Sequence, residues 1–198
     1  YLSGVRRDTT TNGQGRMELS EINYPSQPLR EISRQRIPAP GKNDSYCEKN
    51  WMPILDQPFH YMKWSNPVEI VKYNPEDKTC ITVFTGEKRD DIALNLRGGS
   101  QVIPYKDGYI ALQHITYLYK SPAGRKNATY RHQFTLYDKK WNTIKQSRIF
   151  DFMDAKIEFS CGMARYKNDF IITFGFQDNI AYIAKISETG LEEFINAK

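Results

Sequence analysis

From residue 47 onward the chain alternates apolar and polar positions in short runs separated by turn signals, the two-residue period of half-buried strands. Residues 59–64, 68–73 and 79–85 are rich in β-branched and aromatic side chains, and Asn74-Pro75-Glu76-Asp77 places a turn between the last two. The same pattern returns over residues 100–104, 109–117, 130–137 and 143–150, and again over 162–166, 170–176 and 180–186. Helical periodicity is weak throughout, and only residues 188–197 predict a terminal turn or short helix. Ahead of these runs, residues 1–5 and 17–22 read as two arms of a hairpin around a polar loop. The first arm is entered partway, so the chain reads as a fragment of a longer protein. Residues 23–46 turn to Pro, Ser, Arg and Gln without period and predict a long connector. The expected class is all-β.

One internal echo narrows that class. Tyr105-Lys106-Asp107-Gly108-Tyr109-Ile110-Ala111-Leu112 resembles Tyr166-Lys167-Asn168-Asp169-Phe170-Ile171-Ile172-Thr173, each after a glycine-bearing run. Leu55-Asp56-Gln57-Pro58-Phe59-His60-Tyr61-Met62 is a weaker third copy. A turn–strand unit recurring every ~50 residues is the signature of propeller blades, whereas a sandwich explains strand density but not the repeat. The pattern predicts a β-propeller: residues 1–46 end a preceding blade and connector, and residues 47–198 supply three successive blades.

Composition removes several alternatives. Aromatic residues are 13% of the 198, which excludes disorder. No run approaches the ~18 apolar residues of a spanning helix, so membrane insertion is not expected. The formal charge of +5 is spread over the chain. Its densest basic group, Arg30, Arg34 and Arg36, sits in the Pro-flanked connector and belongs to no nucleic-acid module. Cys47, Cys80 and Cys161 show no metal spacing, and one bridge with one free thiol stays open. Asn43-Asp44-Ser45 and Asn127-Ala128-Thr129 are glycosylation sequons in polar, turn-rich stretches; they weigh toward a secretory location and leave a cytoplasmic one open. Neither a phosphate-binding glycine loop nor a nucleophile elbow is present, and no cofactor or metal is expected.

In a propeller the first strand of each blade faces the central channel, so unusual polar residues near blade starts converge. Four clusters stand out. Cys47-Glu48-Lys49-Asn50-Trp51 sets an acid, a cation and an amide beside a large aromatic. Arg97-Gly98-Gly99 puts a cation before two glycines that permit close backbone approach. Gln113-His114 lies in an apolar run, and Gln177-Asp178 between two. Lys49, Asn50, Trp51, Arg97, His114 and Asp178 are therefore the candidate substrate-binding residues. Arg97 has a structural alternative, an ion pair with Glu48 or Asp178. His114 is either a core histidine or an oxyanion binder and proton shuttle. Trp51 and Trp64 either pack or stack on a sugar face.

In this order the residues resemble the five-bladed propellers of glycoside hydrolase family 130, the β-mannoside phosphorylases and hydrolases. Met17-Glu18-Leu19-Ser20 is similar to a second-blade strand of that family, and Lys49-Asn50-Trp51-Met52-Pro53 to its third-blade opening. Gly98-Gly99-Ser100 with Asp107 through His114 resembles the fourth-blade Gly-Gly stretch and its Tyr-His. Tyr130-Arg131-His132 through Leu136-Tyr137-Asp138 resembles the strand that follows, and Phe174-Gly175-Phe176-Gln177-Asp178 the fifth-blade Tyr-Gly-Ala-Ala-Asp. Two departures matter. The family's general-acid motif, Glu-Asp-Pro-Arg, is absent from this chain, and Tyr1 begins where the strand after it would run. Trp64-Ser65-Asn66-Pro67 replaces a phosphorylase His-Arg-Pro whose arginine holds phosphate.

The resemblance implies a carbohydrate-active propeller acting on or binding β-mannoside-like glycans, with hydrolysis by inversion favoured over phosphorolysis. The alternative is a non-catalytic glycan-binding or assembly propeller on the same scaffold. Carbohydrate is the expected partner, inorganic phosphate a second, nucleic acid is not expected, and homo-oligomerisation stays open. The catalytic residues are unassigned.

Overall fold

The computed structural model describes residues 1–7, 13–41 and 47–197. Four antiparallel sheets follow one another along the chain. β1 (Leu2–Arg6), β2 (Arg16–Ile22) and β3 (Glu31–Arg36) form the first. β4 (Met52–Pro53), β5 (His60–Ser65), β6 (Val68–Asn74) and β7 (Thr79–Thr85) form the second. In the third, β8 (Leu96–Gly98) and β9 (Ile103–Tyr105) both pair with β10 (Gly108–Lys120), which continues to β11 (Lys126–Asp138) and β12 (Thr143–Gln146). The fourth comprises β13 (Glu158–Tyr166), β14 (Asp169–Phe176) and β15 (Ile180–Ser187), and α1 (Glu188–Asn196) closes the described chain. Ser187 caps α1 by accepting from the Gly190 N–H.

Apolar faces are buried between sheets. Met17, Leu19 and Ile37 meet Trp51, Tyr61, Val71 and Tyr73 between the first and second. Met52, Met62 and Ile70 meet Val102, Tyr109 and Ala111 between the second and third. Ile110, Leu112 and Phe134 meet Met163, Phe170 and Ile172 between the third and fourth, where Leu191 and Ile195 of α1 join them. Each sheet is a meander stacked face to face on the next, the propeller-type arrangement of an all-β chain.

The echo in the sequence has a structural cause. Its copies are the turns from the first to the second strand of three sheets, and Phe59, Lys106 and Lys167 all take positive φ there (62°, 50° and 57°). The first strands also touch one another. Ile54 and Val102 form a parallel bridge, with Val102 N donating to the Pro53 carbonyl at 2.8 Å.

Three expectations are corrected. The supposed connector contains β3, whose strand register with β2 runs from Glu18↔Arg36 to Ile22↔Glu31. It carries no apolar alternation because its one large apolar residue, Ile32, is 60% exposed. Backbone pairing holds it, with Ser20 Oγ donating to Glu31 and Ser33 Oγ to Glu21. The three cysteines are all free; burial pushes the Cys80 thiol up to about 12. The sequon at Asn127 lies within β11 rather than in a turn, and Asn43 falls outside the described residues.

Candidate functional site

Three sheets meet at Gly98-Gly99. Gly98 lies against the Asn50 carbonyl, and Gly99 against Ser160 of β13 and the Leu112 carbonyl. A side chain at either position would wedge the sheets apart, so the pair of glycines sets how closely the first strands converge. Asn50 takes φ 62°, which turns the segment from Glu48 to Trp51 sharply into the first strand of the second sheet. Arg97 is the register partner of His114, and Asp178 sits in the β14–β15 turn with φ 54°.

One cavity of about 720 Å³ opens at this junction, and all six candidate residues line it. Lys49, Arg97 and Asp178 are exposed to it, Asn50 is half-buried, and Trp51 and His114 are buried. Arg97 makes no ion pair with Glu48 or Asp178; its guanidinium lies over the Trp64 ring, 5.1 Å from the centroid. Neither Lys49 nor Arg97 has an ion-pair partner among the described residues. Glu48, in contrast, is engaged. Its carboxylate accepts from Trp51 Nε1 at 3.1 Å and pairs with Lys63 Nζ at 3.2 Å, and Lys63 lies 3.7 Å from Glu69. The cavity thus presents two cations without counter-ions and one carboxylate, Asp178, with uncommitted oxygens.

Trp51 does not offer a stacking face. It is 4% exposed, tilted against Tyr61 at 6.1 Å, and its N–H is used by Glu48. The indole is part of the packed floor. Trp64, half-buried, is the tryptophan beside open space, and its ring serves as a shelf for Arg97.

His114 is neutral near pH 7. Burial lowers it to about 3, aided by His132 and by the positive charges of Arg97 and Lys49. His132, its register partner across β10 and β11, is lowered to about 4 by burial and then by Arg131. His132 Nε2 accepts from Ser160 N at 3.2 Å, which puts its proton on Nδ1. The Nδ1 atoms of both histidines and Ser160 Oγ are buried with no partner. His114 is therefore a neutral imidazole beside Phe159 and Tyr130, whose ring centroids lie 4.8 and 5.5 Å away.

A pH dependence follows. Folded-state pKa values below the unfolded value mean that the unfolded chain binds more protons, so stability is full above about pH 6.5 and is lost as pH falls. Urea unfolding is expected to show a lower midpoint at pH 6 than at pH 7.5, a window above the range where most carboxylates titrate. An asparagine at position 132 is expected to flatten that slope. Equal midpoints across this window would contradict buried neutral histidines.

Sequence reading missed one wall. Lys63 and Asn95 line the cavity, as do Thr116, Leu118, Ala128 and Tyr130 of the β10–β11 hairpin, and Ile157 and Phe159 ahead of and within β13. The signal was present in the two-residue period, because Thr116 and Leu118 continue the face of His114.

No protein-family model and no curated protein matches the chain. Solved structures do. A glycosyl hydrolase from Bacteroides ovatus superposes with a TM-score of 0.53 at 12% identity, covering 94% of this chain and 64% of its own. A glycoside hydrolase structure from Parabacteroides distasonis, itself described as putative, gives 0.50 at 14%, over 91% and 65%. The third comes from work describing family 130 of mannoside phosphorylases as containing glycoside hydrolases that target β-1,2 mannosidic linkages in Candida mannan. It gives 0.51 at 12%, over 94% of this chain and 70% of its own. The chain spans just under two thirds of the length of the first two. The all-β, propeller-type fold of this chain is the fold of these glycoside hydrolases.

Proposed function

We propose that this cavity takes a β-mannoside-like glycan, and that cleavage, where it occurs, transfers the glycosyl group to water. One observation carries the reading: Lys49, Asn50, Arg97, His114 and Asp178, from three sheets, face one cavity that also has an aromatic and aliphatic wall. Sugars need both, hydroxyl-directed polar groups on one side and an apolar surface for ring C–H faces on the other. In this reading residues 1–46 complete one blade and residues 47–198 supply three.

Water is favoured over phosphate on charge grounds. Phosphate is a dianion near neutral pH, and a site that extracts it from water supplies several charge-assisted donors. The stretch Trp64-Ser65-Asn66-Pro67 stands where the resembled phosphorylases carry His-Arg-Pro, without the arginine, and His114 is neutral because it is buried. Lys63 is committed to Glu48 and Glu69, so two side-chain cations, Lys49 and Arg97, then remain. The same two favour phosphorolysis as the second reading, since neither has a counter-ion among the described residues. A binding-only role is the third, supported by the commitment of Glu48 to Lys63 and Trp51.

The assay is release of mannose against mannose 1-phosphate from β-linked mannobiose, with and without phosphate, beside calorimetric binding. Free mannose irrespective of phosphate is the expected result. Phosphate-dependent sugar phosphate would replace hydrolysis by phosphorolysis, and binding without cleavage would leave the glycan-binding role. No binding and no cleavage would end the carbohydrate reading.

A further inference from the structure

β10 and β11 are each thirteen residues long, against three to nine for the other strands of the third and fourth sheets. β8 stops pairing at Ile115↔Leu96, and the last backbone bond on the other side is Tyr130 N to the Lys156 carbonyl. From Thr116↔Tyr130 to Lys120↔Lys126 the hairpin runs on as a two-stranded arm with no third strand among the described residues. Five residue pairs carry it roughly 16 Å past the sheet. Asn95 Nδ2 holds its base by donating to the Thr116 carbonyl at 2.9 Å.

The two faces of the arm differ. Thr116 and Leu118 on β10, with their register partners Tyr130 and Ala128 on β11, all line the cavity that Lys49 and Arg97 line. Leu118 is 61% exposed on that side. Tyr117 and Tyr119 point to the opposite face by alternation and do not line it. Asn127 of β11 lines it as well, so the cavity has a polar end at the sheet junction and a largely apolar side that continues up the arm. At about 720 Å³ it lies in the upper part of the ~300–1,000 Å³ range that encloses drug-sized ligands, more than one sugar ring requires.

We propose that this arm is the wall of an outer subsite that receives the second and third units of a β-linked oligosaccharide, so that Leu118 and Thr116 set the chain length the site prefers. The proposal rests on the carbohydrate reading above. A ring lying on Leu118, Ala128 and Tyr130 covers apolar surface that water otherwise meets, and its hydroxyls stay outward. Covering that face also orders a hairpin that is marginal by itself.

The test is isothermal titration of the intact chain with methyl β-mannoside and β-mannotriose, and with the matching methyl glycosides and trisaccharides of β-glucose and β-galactose. The trisaccharide of the sugar that binds is expected to bind at least tenfold tighter than its methyl glycoside. Leu118→Asp is expected to remove roughly five- to tenfold of that gain, the covering of about half of one aliphatic side chain. Tyr117→Ser, on the other face, is expected to keep it. Circular dichroism of both variants separates this from unfolding. Equal affinities for short and long ligands, or a full gain retained by Leu118→Asp, would overturn the arm subsite while the carbohydrate reading stands. Binding of no ligand in the panel would overturn both.

Discussion

Gly98→Ala is expected to lower the unfolding free energy by about 3 kcal/mol, the upper end of what overpacking a filled interior costs, and to abolish ligand binding. A Cβ built on Gly98 overlaps the Asn50 carbonyl oxygen and comes within 2.6 Å of Met52 Cγ. The obstruction is main chain, so no rotamer change relieves it. Moving Asn50 disturbs the positive-φ turn that presents Lys49 and Asn50 to the cavity, and moving β8 breaks its register with Gln113, His114 and Ile115. Gln113 is fully buried and bridges sheets, donating to Ser65 Oγ and accepting from the Tyr137 hydroxyl at 3.2 Å, so a displaced β8 also strains that polar link. Gly4→Ala is the control, because nothing lies within 4 Å of its Cβ position. Its urea midpoint should stay close to that of the parent. A Gly98→Ala protein with the parent's midpoint and affinity would mean that the sheets do not meet at this glycine.

Much of this architecture was legible in the residues. Strands with one buried face follow the two-residue period; 79–85 matched β7 through its β-branched and aromatic residues, since most of its side chains are exposed. The repeated Tyr-Lys-Asp-Gly unit marked the turns between first and second strands; Lys106 and Lys167 take positive φ at the same place in two copies, and in the weaker third copy Phe59 does so three places later. β3 was not legible, since an edge strand built from Glu31, Ser33, Arg34 and Gln35 has no buried face to impose a pattern. β8 was hidden for another reason. Gly98-Gly99-Ser100 interrupts the first strand of the third sheet, so Leu96–Gly98 is too short to show a period.

The site was readable as a set of residue types and only partly as roles. A cation, an amide or a histidine near each first strand suffices to nominate Lys49, Asn50, Arg97 and His114. Whether a nominated side chain is free depends on neighbours far away in sequence. Trp51 is withdrawn by Glu48 and Tyr61, and His114 is held neutral by a burial that no single strand reveals. The outer wall escaped because its members, Thr116, Leu118 and Ala128, carry no chemistry of their own. They matter only through where the hairpin places them.

Lys49→Met and Arg97→Met are each expected to weaken glycan binding by roughly ten- to a hundredfold, the loss of one hydrogen bond from a charged donor. Methionine keeps most of the aliphatic stem, so packing changes little. Both side chains are exposed and lack an ion-pair partner among the described residues, so Lys49→Met should stay within about 0.5 kcal/mol of the parent, and Arg97→Met, which also loses its contact with the Trp64 ring, within about 1 kcal/mol. That separation distinguishes ligand-directed cations from structural ones, whose removal would lower stability and leave affinity alone. A second readout tests the geometry itself. Arg97 and Lys49 both contribute to the lowering of His114, after burial and His132, so either substitution should move its titration upward while burial keeps it below the usual histidine range. The imidazole proton signals, followed by NMR against pH, report this without any ligand. The two cations line one cavity and both act on one imidazole, so the double variant should depart from additivity in affinity, as neighbours sharing one bound group do. Unchanged affinity in both single variants would remove Lys49 and Arg97 from the site. An unmoved His114 titration would instead show that neither charge stands close enough to the imidazole to act with it.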